Sequence, residues 1–187
     1  QVLRIDSDAA FIRHGLIERT LWEALLAAIG IAVWRWRRPV GLGIAAAGFA
    51  HFAWYTLILH NPLWWDQAVG GVPVISWLLP AYALPLALLW LFGRYEPVLA
   101  ERIHTPRAIA QMVLISAFSA SALRQIFAGD LLTAAGVGDL EDILRSVVTI
   151  GLAIGFLLWG IAAKSRLWRV ASLLLMIAAV IKVFLFD

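Results

Sequence analysis

Cysteine is missing from all 187 residues, and charge is scarce: Asp, Glu, Lys and Arg together make up 14% of the chain. The first absence excludes thiol catalysis, disulfides and thiolate metal sites. The second argues against an ordinary soluble domain, in which about 25% of residues are charged. No Walker loop, HExxH pair, nucleophile elbow or kinase signature is present, so no catalytic residue is assigned and the question of an enzyme stays open. No cofactor and no metal site is expected. The formal charge of +3 does not gather on a face with interleaved aromatics, so nucleic acid is not among the expected partners.

What the chain has instead is apolar length. Hydrophobic residues make up 63% and fall into six runs, at 20–36, 40–60, 73–93, 107–128, 143–163 and 167–186. A helix rises about 1.5 Å per residue, so about 20 residues cross the hydrocarbon core of a bilayer. A bilayer accommodates such runs because each helix satisfies its own backbone hydrogen bonds. Basic residues sit at every second connection: Arg35, Arg37 and Arg38; then Arg94, Arg102 and Arg107; then Lys164, Arg166 and Arg169. The connections 61–72 and 129–142 hold no Lys or Arg. The positive-inside rule therefore places the three basic connections in the cytoplasm and both ends of the chain outside. Trp22, Trp64, Trp65 and Trp77 mark the outer boundary, and Trp34, Trp36, Trp90, Trp159 and Trp168 the inner one. Interfacial belts of Trp are expected at those levels. The chain opens on Gln1 and stops at the end of an apolar run, and reads as part of a longer protein.

The segment 1–15 is polar and reads as a short surface helix or loop on the outer side. The first two spans form a hairpin turned by Arg37-Arg38-Pro39, and the last two a hairpin turned by Lys164-Ser165-Arg166. Arg38 precedes His51, and Arg169 precedes Lys182, by the same interval, which reads as a faint repeat of the hairpin. Gly151 and Gly155 form a GxxxG stripe, expected to pack inside the bundle rather than as a dimer face. Pro80 and Pro85 fall within the third run and predict a kink, each freeing the carbonyl four residues earlier.

Ionisable groups inside the spans are the best functional pointers, because each is costly in hydrocarbon. His51 lies deepest, with no carboxylate expected at its depth on a neighbouring span. Glu23, Arg124, Arg145 and Lys182 fall near the outer ends of four spans, with His60, Asp66, Asp130, Glu141 and Asp142 in the adjoining loops or helix starts. If they converge, Arg124, Arg145 and Lys182 make a cationic pocket for a phosphate or carboxylate, with Glu23 and Glu141 orienting the cations. If they do not, each cation snorkels to the headgroups. The stretch His60-Asn61-Pro62-Leu63-Trp64-Trp65-Asp66-Gln67 suits either a bound headgroup or sugar, or an interfacial anchor.

Several short features recur together in one family. They are His60-Asn61-Pro62, Trp77 with Tyr82 and Pro85, Leu123-Arg124 with Phe127 and Gly129, Glu141 with Ser146, and the closing Lys182-Val183-Phe184-Leu185-Phe186-Asp187. In that order they resemble a family of large, many-spanning bacterial predicted membrane proteins grouped as a domain of unknown function. The resemblance covers about 55–187, and the first hairpin looks like another repeating unit of it. It implies a bacterial cytoplasmic membrane and a protein normally longer than this chain, and it carries no reaction. It draws attention to Arg124, Glu141, Lys182 and Asp187. Ala122 stands where the resemblance leads one to expect an acid two residues before the Arg.

The expected fold is an all-α polytopic transmembrane bundle of about six spans, a single region over 1–187 with repeated hairpins. The leading functional expectation is an envelope protein that binds an anionic lipid or lipid-linked substrate at its outer face. The rivals are a transporter with a pathway past His51 and a structural or assembly subunit. Expected partners are membrane lipids, other membrane subunits and the rest of a longer chain.

Overall fold

The computed structural model describes residues 8–73, 75–134 and 136–185. The expectations resting on residues 1–7 and on Phe186 and Asp187 lie outside the described residues. Among the described residues seven α-helices follow one another: α1 (Asp8–Trp34), α2 (Arg38–His51), α3 (Leu78–Tyr95), α4 (Pro97–Arg102), α5 (His104–Ala128), α6 (Asp139–Ala162) and α7 (Arg166–Leu185). A π-helical stretch, Phe52–Leu59, continues α2. Five helices are long and apolar enough to cross a membrane: Arg38–Leu59, Leu78–Tyr95, His104–Ala128, Asp139–Ala162 and Arg166–Phe184. The sixth expected run lies in α1, which at 27 residues is longer than any of these but carries Glu18, Arg19 and Glu23. Residues 8–15 are not a separate surface piece; they form the first two turns of α1.

Successive long helices alternate in direction, which gives the bundle two unlike ends. At one end the connections 60–77 and 129–138 meet. Val69 N–H donates to the Asp130 carbonyl at 3.0 Å, Gly70 N–H to Asp130 Oδ1 at 2.6 Å, and Ala68 N–H to the Ile12 carbonyl at 2.8 Å. Thr133 Oγ1 donates to Asp66 Oδ1. We call this the loop end. The other, basic end carries Arg35, Arg37 and Arg38, the α3–α5 connection and the Lys164 turn.

Two turns at the basic end are tight for identifiable reasons. Pro39 stands in the first turn of α2, where a missing N–H costs nothing. After α6, Ser165 N–H donates to the Gly160 carbonyl at 2.9 Å and Lys164 N–H to that of Ile161 at 3.1 Å. This is a Schellman closure, with Lys164 in the left-handed position (φ 51°) that glycine usually fills.

Close helix approach marks both hairpins: in α6–α7 a Cβ added at Gly160 would lie 2.9 Å from the Arg169 backbone nitrogen, and the α1–α2 crossing is built on several glycines. A Cβ added at Gly30 would lie 3.1 Å from the Gly41 carbonyl oxygen, and one at Gly48 would lie 3.3 Å from Leu26 Cβ. Gly151 and Gly155 behave otherwise than expected. An added Cβ at either meets nothing within 4 Å, so the GxxxG stripe faces away from the helices described here. The third run also needs correction. The helix starts at Leu78, so Pro80 falls in its first turn and removes no helical bond, while Leu79 N–H takes up the Ser76 carbonyl at 3.1 Å. Only Pro85 lies inside the helix.

α5 is the centre of the row. One of its faces joins Leu16, Phe52, Val69, Tyr82, Leu114 and Leu132 in a core at the loop end. The opposite face joins Met112 to Phe156 and Trp168 of the last hairpin, α6–α7.

Candidate functional site

Among the described residues, three clusters of buried or paired charges stand out, and each is placed by a different feature of the chain. The first joins α5, α6 and α7 at the loop end. Arg124, its side chain 7% exposed, reaches Glu141 Oε2 at 2.5 Å, and Arg145 reaches Glu141 Oε1 at 2.7 Å. Arg124 Nε donates to the Leu132 carbonyl at 2.8 Å and Nη1 to that of Gly136 at 3.2 Å, so the guanidinium also clamps the 129–138 connection. Lys182 Nζ bonds Asp142 Oδ2 at 2.6 Å and Ser146 Oγ at 3.0 Å. Arg124, Arg145 and Lys182 lie together at the loop end, and each meets a carboxylate. Glu141 does not merely orient the cations: at 1% exposure it is the buried anion that two of them share. Such a network ties helices together more readily than it receives a further anion.

The second cluster lies in the first hairpin and was largely hidden from sequence reasoning. Because α1 runs from Asp8 to Trp34, Glu23 is eleven residues from its basic end, about 16 Å along the helix. It therefore leaves the outer layer to which its sequence position seemed to assign it. It also overturns the expectation that His51 has no carboxylate at its depth, since His51 Nδ1 is 3.4 Å from Glu23 Oε1. Thr56 Oγ1 donates to the same oxygen at 3.2 Å. Glu23 is 4% exposed, and its Oε2 is buried with no hydrogen-bond partner. The π-helical stretch is what brings Thr56 here. In an α-helix, residues five apart point about 140° away from one another; i→i+5 bonding lines them up, so Thr56 shares a face with His51.

One turn nearer the loop end, Arg19 is 8% exposed. Its Nη2 donates to Gln67 Oε1 at 3.0 Å and to the His60 carbonyl at 3.4 Å, while Nε and Nη1 are buried without partners. Gln67 is wholly buried and passes the polarity on, its Nε2 donating to the Phe11 and Asp66 carbonyls at 3.3 and 3.0 Å. The His60 ring stands edge-on to Phe11 and Trp65, at 5.1 and 5.2 Å. Burial, and then the Arg19 guanidinium, hold its imidazole below the ordinary range. The cluster thus forms a polar column from the loop end, through His60, Gln67 and Arg19, to Glu23 and His51. Beyond it, Ala27, Gly30, Gly41 and Gly48 close the hairpin toward the basic end. Arg19 received no weight from the sequence, and Gln67 entered only as part of the 60–67 stretch, with no partner on α1 expected for it. The available signal was the run Glu18, Arg19, Glu23, too charged for a span with nothing to hold.

The third cluster, at the basic end, was also missed. Glu96, between α3 and α4, accepts a bidentate pair from Arg38 and a bond from Trp34 Nε1 at 2.8 Å. Its side chain is 6% exposed and joins α1, α2 and α3. The hydrogen bonds from Arg38 and then Trp34 hold the Glu96 carboxyl below the ordinary carboxylate range. A carboxylate depressed in the folded state stabilises it above the unfolded pKa, and that contribution is lost as pH falls through the folded one. Glu96→Gln is therefore expected to lower the thermal midpoint at neutral pH and to flatten its decline on acidification. An acid limb unchanged in the variant would assign it elsewhere.

Among the described residues no group of three or more His, Cys, Asp or Glu side chains is placed to hold a metal ion. A family model described as Predicted membrane protein (DUF2339) matches residues 7–187. No curated protein and no solved structure matches the chain.

Proposed function

The chain belongs to that family of predicted membrane proteins, and we propose that within it the first hairpin handles protons, as the proton site of a transporter. The observation that carries this reading is Glu23: a carboxylate 4% exposed in the middle of α1, 3.4 Å from an imidazole, with one oxygen unpartnered. A buried carboxylate and a histidine at that distance can share one proton, and protonation removes the charge that hydrocarbon penalises most. The charged and titratable groups around the pair are Glu18 and Arg19 on α1, Tyr55 stacked on His51 at 4.7 Å, and His60 at the loop end. Polar side chains continue from this pair to the loop end only, which fits access from one side at a time.

The three basic turns support a loop end that faces outward across a bacterial cytoplasmic membrane. A cysteine at Gly70 that labelled only from the cytoplasmic side would reverse this orientation. The anionic-ligand reading of Arg124, Arg145 and Lys182 is weaker, because each of those cations already meets Glu141 or Asp142.

The test is an acid pulse applied to vesicles holding the reconstituted protein and a lumenal pH dye. The wild type should acidify the lumen at least about tenfold faster than Glu23→Gln, a drop within the range that loss of one acid–base group causes. Gln keeps the shape and the Thr56 bond, so folding is expected to survive. Equal rates for wild type, Glu23→Gln and empty vesicles would sink the proposal.

A further inference from the structure

At the basic end, α1, α2 and α3 enclose a groove of about 520 Å³. Its floor is the glycine crossing of the first hairpin, Gly30, Gly41 and Ala45, and its far wall is Leu88, Leu91 and Phe92 of α3. The Trp34–Arg38–Glu96 clamp closes one end, and Arg35 lines the rim. The groove has the size of a small-molecule site. Its wall is aliphatic and aromatic, and the only lining carboxylate, Glu96, is already occupied by Arg38 and Trp34. Arg37 and Arg38 flank Arg35 on the same turn, so the rim is cationic and the interior apolar.

We propose that this groove is a binding site for one anionic phospholipid, with an acyl chain along Leu88, Leu91 and Phe92 and the headgroup phosphate at Arg35. Charge complementarity selects the occupant. A zwitterionic lipid fills the apolar part equally well but brings no net charge to the arginines. The site lies at the end opposite to the Arg124 network and shares no lining residue with Glu23, His51 and Thr56, so it stands apart from the proton proposal and either can fail alone. Basic pockets between spans on the cytoplasmic side suit anionic headgroups, each basic residue contributing about 1 kcal/mol near the surface.

The experiment is native mass spectrometry of the purified protein, equilibrated in detergent with equal amounts of phosphatidylglycerol and phosphatidylcholine of identical chains. The expected result is a single retained phosphatidylglycerol, favoured about fivefold or more. Arg35→Gln should remove that preference by acting on the headgroup, and Leu88→Trp should remove the retained lipid by filling the groove. Equal retention of the two lipids by the wild type overturns the proposal. So does a preference that survives Leu88→Trp, which would place the lipid outside the groove.

Discussion

Glu141→Leu is expected to cost about 3–5 kcal/mol of stability, the usual penalty for removing one partner of a buried ion pair. Glu141 is 1% exposed between Arg124 and Arg145, and its loss leaves two guanidinium groups at the helix ends without their shared anion. Arg145 is 40% exposed and can turn to the headgroups; Arg124, at 7%, cannot. The double variant Glu141→Leu/Arg124→Leu should therefore recover most of the loss, because it removes both buried charges together. Denaturant-driven unfolding in bicelles, followed for the wild type, both single variants and the double, measures the coupling. Single variants within about 0.5 kcal/mol of wild type would mean that water screens the pair.

The second large effect is expected at Gly41. A Cβ there would stand 2.6 Å from the Gly30 carbonyl oxygen and closer still to the Trp34 backbone. Backbone cannot rotate out of the way, so Gly41→Leu must pry α1 from α2, at about 3 kcal/mol or more. The same motion would move Glu23 away from His51 and Thr56, which lie on opposite members of the hairpin. Both stability and lumenal acidification should fall together. Gly155→Ala is the control: nothing lies within 4 Å of its added Cβ, and a change within about 0.5 kcal/mol is expected. A Gly41→Leu protein as stable as Gly155→Ala would refute the close crossing.

These two glycine sites show how far pattern reading reaches. GxxxG at 151 and 155 has the more familiar spacing, yet the close approaches are made by Gly30, Gly41 and Gly48 in the first hairpin and by Gly160 in the last. Spacing along one helix identifies a smooth stripe but not which neighbour covers it. The charged residues expected together near one set of helix ends divide the same way. Arg124, Arg145, Glu141 and Lys182 were legible because all lie within a turn or two of helix ends whose positions hydropathy marks well. Glu23 was misplaced because the apolar run begins at residue 20 while the helix begins twelve residues earlier, so distance along the run was not depth in the bundle.

The sequence by itself determined the class of protein, the alternation of its helices and its two unlike ends, because hydrophobic length and basic turns are local properties that a bilayer reads directly. The tertiary structure alone decided the partners of the charges. Glu96 meets Arg38 across 58 residues, and Arg19 meets Gln67 across 48. The π-helical register that turns Thr56 toward Glu23 has no proline or glycine to announce it in Phe52–Leu59. Burial makes the Arg19 and Glu23 contacts consequential once formed, since an unpaired charge away from water is costly. Which pairing forms depends on how the helices pack, and no run of one chain records that.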